Sequence, residues 1–79
     1  MFWISTEKAL PTFDEQVVKI KVADVAGNYK TEGWYDHNKQ EWYAIKGNCL
    51  HDDVFAWKYN RPIKRLSYEE RERKMKEYN

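Results

Sequence analysis

From Val17 the chain alternates β-branched and charged residues with a period of two, Val17-Val18-Lys19-Ile20-Lys21-Val22-Ala23-Asp24-Val25, so that Val18, Ile20 and Val22 fall on one face. This pattern predicts a half-buried strand. Ala26-Gly27-Asn28 follows, residues that tolerate positive φ and let the chain reverse into a second strand over Tyr29–Asp36. His37-Asn38-Lys39-Gln40 is a polar break of turn length, and Glu41-Trp42-Tyr43-Ala44-Ile45-Lys46 reads as a third strand ended by Gly47-Asn48. A loop through Cys49-Leu50-His51-Asp52-Asp53 leads to a fourth strand, Val54–Tyr59, which should stop before Pro62 because proline cannot donate to a ladder. Tight connections between short strands predict a meander, in which neighbours in sequence are neighbours in the sheet.

The flanks differ in kind. Phe2-Trp3-Ile4 is an apolar triplet, and Ser5 after it could cap one helical turn ahead of Pro11, giving an arm that covers the sheet. At the other end Ser67-Tyr68-Glu69-Glu70 matches a capping box, and Glu69/Arg73, Glu70/Lys74 and Glu72/Lys76 are i,i+4 pairs in the favourable order. A helix is expected there with a thin apolar stripe, since Tyr68, Met75 and Tyr78 share their face with Arg71. The expected fold class is therefore α+β: a three- to four-stranded antiparallel meander with an N-terminal helical turn over residues 1–66, and a charged helix over residues 67–79.

Seventy-nine residues hold one core, and the 16 % aromatic content gives that core its mass. The net charge of +1 supplies no field over the whole molecule, but it is unevenly spread. Residues 1–59 hold seven Lys and Arg against nine Asp and Glu, whereas residues 60–79 hold seven against four. One cysteine, no charged leader before an apolar stretch and no apolar run near the ~20 residues of a membrane span point to a reducing cytoplasm and away from a bilayer.

Candidate chemistry is sparse. Cys49, His51, Asp52 and Asp53, with distant His37, offer zinc-ligand atoms, but the spacing lacks the paired Cys-x-x-Cys or His-x-x-x-His arrangement, and a polar loop is the better reading. Cys49 as a nucleophile would need a base and an orienting group. The three glycines form no phosphate cradle, so neither an enzyme nor a cofactor is expected. Trp3, Phe55, Trp57 and Tyr59 read as core. Trp34 instead shares a face with Lys30, Glu32 and Asp36, and either Trp42 or Tyr43 joins it. That face is covered by the helix, or it binds a partner.

Two functions follow. In the first, Trp34, Trp42 and Tyr43 with Lys30 and Glu32 capture a host or phage protein. In the second, sheet aromatics stack the bases of a single strand while Lys19, Lys21, Lys30, Arg61, Lys64, Arg65, Arg71, Arg73 and Lys74 reach its phosphates. A homodimer through the Tyr68/Met75/Tyr78 stripe is a third arrangement. The order Trp3-Ile4-Ser5, Leu10-Pro11, Val17-Val18, Gly33-Trp34-Tyr35-Asp36, Trp42, Val54, Trp57 and Pro62 resembles a family of short phage and prophage proteins known as a domain of unknown function, number five-five-one. The resemblance covers about residues 3–62 and departs at Asn60-Arg61-Pro62, where the family ends on a Pro-Leu-Pro-like run. It implies a small sheet and a phage or mobile-element origin, and no activity, since the family has none assigned; inhibiting or redirecting a host protein belongs to the protein-capture reading.

Overall fold

The computed structural model describes residues 2–50 and 53–78. Six antiparallel strands form one open sheet, β1 Ile4–Ser5, β2 Gln16–Asp24, β3 Gly27–Asp36, β4 Glu41–Ala44, β5 Cys49–Leu50 and β6 Asp53–Arg65, followed by the helix α1 Tyr68–Tyr78. Their order in the sheet is β1-β6-β2-β3-β4-β5. This corrects the expected three- to four-stranded meander. A meander would set β6 beside β4, yet β6 crosses over to the free edge of β2. The β-branched strand thereby becomes central, with Ile20 opposite both Thr31 of β3 and Trp57 of β6 and fully buried. The free edge of β4 is taken by β5, inside what the sequence reads as loop.

No helix forms at the N-terminus either, which corrects the expected N-terminal helical element. Ile4 and Ser5 pair with Trp57 and Ala56, which commits them to an edge strand. The turn after them is a single one: the Lys8 and Ala9 amides donate to the Ser5 carbonyl at 3.0 and 3.2 Å, and no regular element follows before β2. The last strand runs past Pro62 because the register jumps: Val17 faces Lys64 whereas Val18 faces Tyr59, so residues 60–63 bulge out of the ladder, where a missing amide costs nothing. Asn60, buried, donates from Nδ2 to the Val17 carbonyl at 2.8 Å and ties the bulge down.

Directly opposed residues share a face, so the pairings define two surfaces. On the first, Val18, Ile20, Val22, Tyr35, Trp42 and Trp57 form the main core. The segment between β1 and β2 lies over it, whereas the apolar triplet expected to cover the sheet does not: Phe2 is exposed and Ile4 joins the sheet edge. Trp57 Nε1 donates to the Ala9 carbonyl at 2.9 Å, His37 Nε2 donates to the Pro11 carbonyl at 2.7 Å, and Pro11 is buried. On the second face α1 packs through Met75 onto Trp34 and Tyr43, with Leu66 and Cys49 at the margin. The helix backbone comes so close to the turn after β4 that a Cβ on Gly47 would collide with the Lys74 carbonyl.

The capping box forms: the Glu70 amide donates to Ser67 Oγ at 3.2 Å and the Ser67 amide to Glu70 Oε1 at 3.4 Å. The three expected i,i+4 ion pairs do not form among the described residues, because Glu70 is drawn to the cap and Arg73 lies nearer Glu77, at 3.9 Å. No helix among the described residues is long and apolar enough to cross a membrane.

Candidate nucleic-acid interface

Trp34, Trp42 and Tyr43 are not an exposed patch. Strand alternation sends Trp42 to the first face, opposite Tyr35 and Leu50, where it joins the core. Trp34 and Tyr43 point the other way and stack with centroids 5.7 Å apart and planes 14° from parallel, under Met75. All three are at most 8 % exposed. A contact surface built on these three rings in the free protein is therefore withdrawn, since the helix stripe that looked too thin to dock covers two of them. Arg71, expected at phosphates, is also buried: its Nε donates to the Leu66 carbonyl at 3.4 Å and its guanidinium lies over the Tyr68 ring. The exposed Arg73 pairs with Glu77, and Arg61 and Arg65 are exposed at the β6 bulge and after it.

The other half of the second face is open and basic. Lys21 of β2 stands directly opposite Lys30 of β3, and Lys19 of β2 directly opposite Lys58 of β6. Like charges placed so repel, and each such pair costs stability instead of adding it. Between them lies Trp3, half-buried, with the ammonium groups of Lys21, Lys58 and Lys30 at 4.5, 4.7 and 6.0 Å from its ring centre. The ring's electron-rich face offsets part of the repulsion, by about 0.5–1 kcal/mol per exposed contact. Glu32 faces Lys19 across the ladder and holds Lys64 at 3.2 Å, and among the described residues Lys21, Lys30 and Lys58 around the indole form no ion pair. A shallow depression of about 480 Å³ runs from Trp3 past Lys58 and Lys30 to Ile45.

Sequence reasoning placed Lys19, Lys21, Lys30 and Lys64 here but assigned Trp3 to the core, and it left Lys58 out. The missed signal is the alternation inside Phe2-Trp3-Ile4. Ile4 packs against the core on the first face, so Trp3 must project to the opposite one.

A separate cluster sits beside α1. The Cys49 thiol and the Tyr43 hydroxyl both donate to Glu41 Oε2, each at 3.1 Å. Burial, then the hydrogen bond and charge of Glu41, push Cys49 from its ordinary 9.0 up to about 11; the same causes push Tyr43 from 10.0 up to about 12. Such a thiol is a poor nucleophile near neutrality. The native state keeps both protons at pH values where the unfolded chain has released them, so this contribution to stability is complete below about pH 9 and is lost as pH rises through 11 and 12. Alkylation of Cys49 by iodoacetamide should accordingly inflect near pH 11, and Glu41→Gln should move the inflection toward 9; a wild-type inflection at 9 would contradict the contact. His51 and Asp52 of the sequence-defined ligand loop lie outside the described residues, and among those described no three His, Cys, Asp or Glu side chains gather to hold a metal ion.

Compared with family models, with curated proteins and with solved structures, the chain matches none.

Proposed function

We propose that the chain is a non-enzymatic binding protein that holds single-stranded nucleic acid on the open half of the second sheet face. One observation carries the reading: lysines opposed in like-charged pairs on three adjacent strands, around a half-buried indole. A fold with no use for that charge gains stability by replacing either member of a pair with an acid. A polyanion removes the repulsion, and a base can stack where the ammonium groups now sit once phosphates draw them aside, an exchange worth about 1–3 kcal/mol per stacked base. A duplex hides its base faces and gains only the charge term.

The resemblance over residues 3–62 favours a phage or mobile-element protein, and the single cysteine favours action in the cytoplasm of a host. The capture of a host or phage protein loses its aromatic anchors to the interior, so an acidic protein surface becomes a competitor to be tested against the oligonucleotide. Titration of the tryptophan fluorescence with oligothymidylate at low salt should show saturable quenching, and Trp3→Ala should weaken binding about tenfold or more. Equal affinity for a single strand and for a duplex of the same length, or a Trp3→Ala variant that binds as wild type, would refute base stacking on this face.

A further inference from the structure

We infer that the stacked pair Trp34–Tyr43 is a second base-stacking subsite for the same single strand, closed by α1 in the free protein. The inference rests on the nucleic-acid reading above. Lys30, Glu32 and Trp34 are successive members of one row on β3, spaced by strand geometry at about 6.7 Å, so the covered rings continue the line that begins beside Trp3. Their nearly parallel stack is an aromatic surface of the kind on which bases lie.

The cover over these rings is slight and imperfect. Of the eleven residues of α1, Arg71 and Met75 are the buried ones, and Leu66 completes the contact from the connecting segment. Trp34 Nε1 is fully enclosed and has no hydrogen-bond partner among the described residues. A buried donor left in that state favours any arrangement that gives it an acceptor, and a base carbonyl or a phosphate oxygen is one. Arg71 forms no ion pair among the described residues, so lifting the helix returns its charge to water. The helix carries four basic and four acidic side chains. Its displacement therefore adds stacking surface and no net charge, and the salt dependence of binding should not change.

Hydrogen–deuterium exchange on the full chain, with and without saturating oligothymidylate, tests this without any substitution. The α1 amides should exchange faster in the complex while those of Lys19–Val22 and Lys30–Thr31 slow. In parallel, Met75→Ala and Gly47→Ala each loosen the helix, the first by removing the side chain over Trp34 and the second through the collision with Lys74. Each should bind the oligonucleotide more tightly, by up to about tenfold, with the salt slope of wild type. If wild type binds but its α1 amides slow or stay unchanged, and both variants bind no better, the subsite is overturned while the open-face reading stands. If wild type fails to bind at low salt, both fall.

Discussion

Trp34→Ala should remove about 3–5 kcal/mol of stability and leave little folded protein at physiological temperature. The ring is fully enclosed, it supports Tyr43 on one side and Met75 on the other, and it is the floor on which α1 rests. Its loss opens a cavity that a short helix cannot collapse to fill, and small domains have little stability in reserve. Thermal unfolding followed by circular dichroism reads the effect directly. Trp3→Ala is the matched comparison on the same face: it removes a half-buried ring beside the edge strand together with its contacts to three ammonium groups, and its melting temperature should fall by far less than that of Trp34→Ala. A Trp34→Ala protein that melts like wild type would show that the covered half-face is no part of the core. The same argument explains why the covered rings are better probed by loosening α1 than by deleting an indole.

Reversing the charge of the central lysine pair should separate binding from folding. Lys30→Glu alone converts a repulsive cross-strand pair with Lys21 into an attractive one and should stabilise the fold by about 0.2–1 kcal/mol. The double variant Lys21→Glu/Lys30→Glu restores repulsion with the opposite sign and loses both lysines' contacts with the Trp3 ring, so its stability should fall somewhat below wild type. Affinity for a single strand should instead fall with each step, by about a hundredfold or more in the double variant, because two phosphate contacts are lost and two repulsions gained. Denaturant unfolding and anisotropy titration on the three proteins would show the two properties moving apart. If Lys30→Glu both destabilises the protein and binds as wild type, the lysines serve the fold and not a ligand.

What the sequence made legible was local. The period-two pattern placed β2, β3 and β4 within one or two residues of their observed ends, and the Ser67–Glu70 box located the start of α1. Strand order was not legible, since it depends on which distant edge takes the free side of β2, and nothing near Val54–Tyr59 encodes that choice. Pro62 misled the reading of β6 because a bulge anchored by Asn60 to a carbonyl 43 residues away absorbs it. The aromatic face was half legible. Alternation put Trp34 on the side of Lys30 and Glu32, but whether α1 covers it turns on a few contacts made by Met75 and Leu66, too few to stand out in a helix rich in charge. Trp3 was hidden by its apolar neighbours, and only the pairing of Ile4 with Trp57 shows which way the indole points.

Whether the lysines around Trp3 meet phosphates is measured most directly by the salt dependence of single-strand binding. Affinity for a fluorescein-labelled oligothymidylate about twelve nucleotides long, determined between about 20 and 300 mM salt, should fall linearly on a log–log plot with a slope of about −3, four lysines each displacing about 0.7 of a counterion. No detectable binding at the lowest salt, or binding with a slope near zero, would contradict the phosphate contacts.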